Sequence, residues 1–280
     1  MSTELTFLGT GGGRYATIYQ TRSTGGLVID TDGKRIHIDP GPGALTNMSR
    51  IGMDPAATDA IMISHCHPDH YSDAEVLIEG MCKGGVTKRG ELVGSVSVMD
   101  GYEGLGPKLT RYHFNMVSEH TCVKPHDKID VCGIPVHITS SLHSDRTAVG
   151  FKLHTKDGVI SYVCDTDHRD RIAEESKGAR VLILPITRTT KTRVRCHLCT
   201  DDAIRFAEIV KPEIILFNHM GVNMIRHGAE KEAAYVEHIT GVKTVAANDL
   251  MKVNISKDIV VGSNEPPLRE QRKVINPEMF

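Results

Sequence analysis

The stretch Ser64-His65-Cys66-His67-Pro68-Asp69-His70 constrains this chain more than any other. Three imidazoles and a carboxylate fall within six residues, directly after the apolar run Ala60-Ile61-Met62-Ile63. A strand that ends in a tight turn there can point His65 and His67 toward one metal ion. Asp69 and His70 can then turn toward a second. Neutral imidazole and carboxylate are borderline-to-hard ligands that suit Zn²⁺, Mn²⁺ or Fe²⁺. The chain therefore has to bring several strand ends to one place.

Apolar runs supply those strands. Leu5–Leu8 leads into Gly9-Thr10-Gly11-Gly12-Gly13, and Gly26–Asp30 and Arg35–Asp39 flank Asp32-Gly33, a strong hairpin signal. A helix is expected from about Ala44 to Ile51, and another over 72–81 with Ser72 or Asp73 as its N-cap. Further strands are read at 134–139, 149–154, 159–164, 181–184 and 214–217, with a short polar helix over 170–177. Thr200 is read as the N-cap of a helix running to Val210, where Pro212 stops it. Residues 84–126 give no clear pattern and are expected to cover the site, carrying substrate choice or burying a dimer face.

Strands dominate and helices are interspersed, which suits two sheets packed face to face with helices outside. Residues 1–262 are read as one domain and 263–280 as a polar tail. A net charge of −2 and the absence of tryptophan argue against a broad nucleic-acid footprint or a base-stacking platform. No apolar run is long enough to span a membrane. Seven scattered cysteines suit reduced thiols in a cytoplasm better than a disulfide framework.

Three downstream residues can complete a two-metal site. His143 follows a predicted strand, Asp165 ends one and can bridge both ions, and His219 ends another in Leu216-Phe-Asn-His. With these in place, the H-x-H-x-D-H stretch resembles the signature of the metallo-β-lactamase superfamily, and the resemblance covers roughly residues 5–225. It implies a four-layer αββα sandwich and two divalent ions, zinc first and manganese or iron next. It implies that metal one takes His65, His67 and His143, that metal two takes Asp69, His70 and His219, and that Asp165 bridges. Asp39 matches the aspartate that orients a ligand histidine rather than binding metal. Such a site makes hydroxide available at neutral pH, with Asp69 placed to hold it and accept its proton, so the reaction expected is hydrolysis.

Cys196-His197-Leu198-Cys199-Thr200 resembles the H-x-x-T element of the tRNA 3′-end-processing nucleases (RNase Z), to which phosphonate-pathway phosphodiesterases are related. The opening Phe7-Leu-Gly-Thr-Gly-Gly-Gly13 is similar to that branch's N-terminus. This resemblance makes His197 the phosphate-contacting general acid. Arg188, Arg193 and Arg195 lie just upstream and could hold phosphate oxygens. The 31 residues between Asp165 and His197 leave no room for the long arm that RNase Z uses to clamp tRNA. The expected activity is a phosphodiesterase on a small nucleotide, a cyclic phosphate or an RNA end, with a homo-oligomer compatible with it. The alternative is a lactone, thioester or β-lactam hydrolase on the same metals, and a non-catalytic nucleic-acid-binding relative stands third.

Overall fold

Ala60–Ile63 explains the architecture in miniature. All four residues are buried, and the strand pairs in parallel with Lys34–Ile38 on one side and Glu91–Ser95 on the other. A continuous apolar run is what a parallel strand covered on both faces requires. Ala60 and Met62 point into the core between two sheets, whereas Ile61 and Ile63 point outward under helices.

The computed structural model describes residues 2–262, and the predicted polar tail 263–280 lies outside them. The first sheet runs, in spatial order, Ile259–Val261, Lys252–Ile255, Thr3–Phe7, Leu27–Thr31, Lys34–Ile38, Ala60–Ile63, Glu91–Ser95 and Glu119–Val123. The second runs Lys243–Ala246, Ile214–Asn218, Val181–Arg188, Gly158–Tyr162, Val149–Thr155, Ile134–Ser140 and Lys128–Val131, with Leu198–Cys199 paired beside Val181–Arg188. Phe7, Ile29 and Ile38 of one sheet share a buried apolar core with Phe151, Leu153 and Ile183 of the other. Truncating a side chain such as Phe151 to alanine there would cost about 3–5 kcal/mol.

Helices close both outer faces. Ala44–Arg50, Ala74–Met81 and Arg111–Met116 cover the first sheet, and Asp170–Glu175, Thr200–Val210 and Ala229–Thr240 cover the second. The result is the four-layer αββα sandwich. The Asp32-Gly33 hairpin holds as read, with both turn residues at positive φ, as a turn matched to strand twist demands.

One cap differs from the sequence reading, and another keeps its position while its side chain bonds elsewhere. The helix over Thr200–Val210 is capped by Cys199, whose thiol and backbone form a reciprocal box with Asp202. Asp73 sits at the N-cap of Ala74–Met81, but its carboxylate accepts from the N–H groups of Gly43 and Leu45 instead. It ties the Pro40–Gly43 turn to that helix. The segment left without a pattern contains Glu91–Ser95, Val96–Met99, Arg111–Met116 and Glu119–Val123.

Candidate metal centre

The ends of strands from both sheets meet at one rim. Ala60–Ile63 delivers Ser64 to His70, with Pro68–Tyr71 forming a single helical turn after His67. Ile134–Ser140 leads to His143, Gly158–Tyr162 to Asp165, Val181–Arg188 to the loop bearing His197, and Ile214–Asn218 to His219. All seven residues expected to hold metal, together with His197, converge here. Ligand atoms of His65, His67 and His143 lie within 4.8 Å of one another, as do those of Asp69, His70 and His219, of His65, His70 and Asp165, and of His143, Asp165 and His197.

The outer nitrogen of four rings is tied down. Asp39 accepts from the Ser64 N–H and, on its other oxygen, from Ser64 Oγ, Tyr162 OH and His70 Nδ1, at 2.7–2.8 Å. Because Ser64 Oγ gives its proton to Asp39, His65 Nδ1 donates to Ser64 Oγ at 3.0 Å. His143 Nδ1 donates to the Cys196 carbonyl at 3.0 Å. Thr187 Oγ1 donates to the His219 carbonyl and accepts from His219 Nδ1 at 3.1 Å. Each such bond leaves Nε2 to face the centre, the arrangement that tunes a ligand imidazole.

The inner nitrogens crowd one another. His65 Nε2 and His143 Nε2 lie 2.9 and 3.1 Å from His67 Nδ1, and His70 Nε2 lies 3.2 Å from His219 Nε2. Around tetrahedral zinc with bonds of about 2.0–2.1 Å, neighbouring nitrogens sit about 3.3 Å apart. Asp165 Oδ2 is 3.1 Å from His219, 3.5 Å from His197, 3.8 Å from His70 and 3.9 Å from His143. Its Oδ1 is buried with no hydrogen-bond partner among the described residues. An orphaned carboxylate oxygen among converging lone pairs fits divalent cations.

Close packing guards this geometry. A Cβ on Gly12 would stand 2.2 Å from the His219 ring, although the extended backbone of Gly12 is open to any residue. The next amide, Gly13 N–H, donates to Asp69 Oδ2 at 3.0 Å.

Charges within the cluster are strongly coupled. Burial opposes a charge on His70, but Asp69 and Asp39 outweigh it and push this imidazole up to about 10. Burial likewise raises Asp69, yet His70, His219 and the Gly13 amide hold it far below the usual carboxylate range. Burial holds His65 well below the ordinary histidine value and lowers His67, His143 and His197, with Asp165 pulling these three the other way.

The three arginines divide. Arg193 donates to Asp202 at 2.8 Å and so pins its loop to the start of Thr200–Val210, a bond that sequence spacing could not show. Arg195 is exposed, and Arg188 is half-buried with its Nε lacking a partner among the described residues. Tyr162 and Thr187 are positioning groups that the sequence reading does not pick out, although alternation along Gly158–Tyr162 turns Tyr162 inward; Asp167, close behind Asp165, is one it does. Beside His67 opens a cavity of about 170 Å³, lined also by Cys66, Ser97, Tyr102, Lys108 and Ser144. A larger concavity of about 570 Å³ lies elsewhere, along Glu230, Glu237, His238 and Val261, and no cluster residue lines it.

The sequence profile of the Beta-lactamase superfamily domain matches residues 34–220. An uncharacterized protein of Methanocaldococcus jannaschii is 38% identical over 257 residues, covering 91% of this chain and 96% of its own length. Among solved structures, the metallo-beta-lactamase fold protein YhfI from Bacillus subtilis is similar with a TM-score of 0.75 at 18% identity, over 91% of this chain and 100% of that one. A diphosphatase from the PhnP family gives 0.66 at 20% identity, over 91% and 98%. Human tRNase Z, short form, gives 0.65 at 18% identity, over 90% and 99%. At these identities the structural likenesses speak for the fold.

Proposed function

The chain belongs to the metallo-β-lactamase superfamily, and from that premise we propose that it is a metal-dependent phosphodiesterase acting on a small nucleotide, a cyclic phosphate or a short RNA end. His65, His67 and His143 would hold one divalent ion and Asp69, His70 and His219 a second, with Asp165 available to both. Zinc is the first choice for these ligands and manganese or iron the next. Bound there, the ions supply an acidified water and positive charge against a phosphoryl oxygen.

The chain's own residues do the rest. Asp69 Oδ2 accepts from the Gly13 N–H and faces His219 Nε2 across the second ion position, which leaves Oδ1 to take a proton from the attacking water. His197 contacts the phosphate and returns a proton to the leaving oxygen. Burial favours its neutral form, and an incoming phosphate anion favours the protonated one. Arg188 and Arg195 remain candidates for phosphate oxygens, whereas Arg193 serves the loop that carries His197.

The observation that carries this reading is the position of His197. Its Nδ1 lies 3.5 Å from Asp165 Oδ2, and the ring keeps 21% of its surface exposed. A partly exposed imidazole beside the centre is where a leaving-group proton is needed. A small substrate is favoured by the cavity beside His67 and by the short path from Asp165 to His197, which holds only Asp170–Glu175, Val181–Arg188 and Thr190–Thr192. Two of the structural likenesses, a diphosphatase and a tRNase, are in keeping with a phosphorus-centred reaction. The seven free cysteines accord with a reducing cytoplasm, and no helix among the described residues is long and apolar enough to cross a membrane.

A second reading has its own observation. His197 groups with His143 and Asp165 closely enough to be a ligand itself. Hydrolysis of bis(p-nitrophenyl) phosphate by metal-loaded protein and by His197→Ala separates the two. A general acid predicts a loss of about 10²–10⁴-fold on a diester with an alkyl leaving group and a smaller loss on the p-nitrophenyl ester, with metal content unchanged. Loss of an ion together with activity makes His197 a ligand. No hydrolysis despite two bound ions moves the substrate to a lactone or thioester.

A further inference from the structure

We infer that Asp167 is a positioning residue that sets two imidazoles of the centre at once, through the single residue Cys196. The inference rests on the proposed roles of His143 and His197. Asp167 brackets two loops. Its backbone N–H donates to the carbonyl of Leu142, the residue before His143, at 2.9 Å. Its carboxylate Oδ1 accepts from the Cys196 N–H at 2.7 Å.

Cys196 stands at φ +65, a left-handed conformation uncommon for a residue other than glycine. The hydrogen bond that its amide donates to the Asp167 carboxylate holds it there. With the peptide turned this way, the Cys196 carbonyl receives His143 Nδ1, which leaves His143 Nε2 pointing at His67 Nδ1, 3.1 Å away. The same turn aims the next side chain, His197, at Asp165. Released from Asp167, Cys196 relaxes out of the left-handed region. His143 then loses the acceptor that fixes its tautomer, and His197 swings from Asp165. The far end of the loop stays anchored by Arg193 and Cys199 on Asp202, so the change is local.

The test uses Asp167→Ala, Asp167→Asn and Asp167→Ala combined with Cys196→Gly, each loaded with Co²⁺ for visible spectroscopy and with Zn²⁺ for kinetics. Asp167→Ala is expected to melt as a cooperative fold, to shift the Co²⁺ absorption bands and to lower kcat at least about tenfold with KM within about twofold. Asp167→Asn keeps an acceptor for the Cys196 amide and is expected to recover most of both. The added Cys196→Gly, free to adopt the turn without help, is expected to recover part. A Co²⁺ spectrum and kcat in Asp167→Ala equal to those of the unmodified protein overturn the inference. So does an Asp167→Asn protein as impaired as Asp167→Ala, since charge and not the bond would then matter. If Asp167→Ala does not fold, Asp167→Asn against the unmodified protein decides, with near-equal spectra expected and a large shift overturning it. If no phosphodiester is cleaved by any of the proteins, the functional proposal fails. The Co²⁺ spectra still decide the placement of His143.

Discussion

Replacing Asp39 with asparagine removes one charge and one acceptor while keeping the shape of the side chain. Asp39 stands at φ +53, a region that asparagine also tolerates, so the backbone gives no reason for a loss. The buried carboxylate takes four hydrogen bonds, three of them on one oxygen, from Ser64 Oγ, Tyr162 OH and His70 Nδ1. An amide NH₂ at that oxygen can be met by the two hydroxyls, which rotate to accept. His70 cannot do the same without moving its proton to Nε2, where it would face the second metal position. Losing a hydrogen bond to a charged group costs about 1.5–3 kcal/mol. Outer partners of ligand histidines carry about 10–100-fold in metal affinity, or about 1.4–2.7 kcal/mol. The two ranges agree. Competition with a chromophoric chelator should therefore show one ion held about 10–100-fold more weakly in Asp39→Asn, with the other nearly unchanged. Two ions retained at the affinity of the unmodified protein would refute the idea that Asp39 sets the His70 tautomer.

Gly12→Ala drives a methyl into the His219 ring and is expected to lose one metal equivalent while far-UV dichroism is unchanged; full metal stoichiometry by elemental analysis would count against the packing argument. Metal loading must displace the proton from His70, which the surrounding carboxylates push up to about 10. Affinity should therefore rise with pH up to about 10, with net proton release in calorimetry across buffers of different ionisation enthalpy; a pH-independent affinity speaks against it. Burial lowers His37 to about 4, and its Nε2 donates to the Gly25 carbonyl at 2.8 Å. The unfolded chain takes up this proton first, so the contribution is complete above pH of about 6.5 and is lost as pH falls toward about 4, amounting to about 3 kcal/mol. In urea melts, His37→Gln should flatten the acid slope of stability, and parallel curves for the two proteins would remove His37 as its source.

Much of the site was legible because its residues follow apolar runs. Ile61–Ile63 before His65 and Ile214–Phe217 before His219 are buried on both faces, so their sequence betrays strands without any tertiary context. Glu119–Val123 was not legible for the opposite reason. It lies at a sheet edge with Glu119, His120 and Thr121 at least partly in solvent, and neither alternation nor an apolar run survives. The Cys199 cap was missed because a thiol is a weak acceptor that capping patterns leave out. Cys196 carries no mark of its left-handed turn, since the bond that imposes it comes from Asp167, 29 positions earlier in the chain. The pairing of Arg193 with Asp202 depends on where a helix begins, and that is settled only by packing.

The strand Thr3–Phe7 pairs on one side with Lys252–Ile255, with Thr3 opposite Ile255. The first sheet therefore waits for residues made some 250 positions later before that side of the strand is covered. During synthesis, Thr3–Phe7 leaves the ribosome long before its neighbour exists, and so does the glycine turn that cradles His219. Contacts of such sequence separation form slowly, and a chain halted at Val210 would hold the His65–His70 turn, Asp165 and His197 with no His219 to meet them. Such a truncated chain leaves Thr3–Phe7 as an open edge able to pair with another molecule. Order of emergence thus makes the centre one of the last things this protein can complete, and an interrupted chain an aggregation hazard.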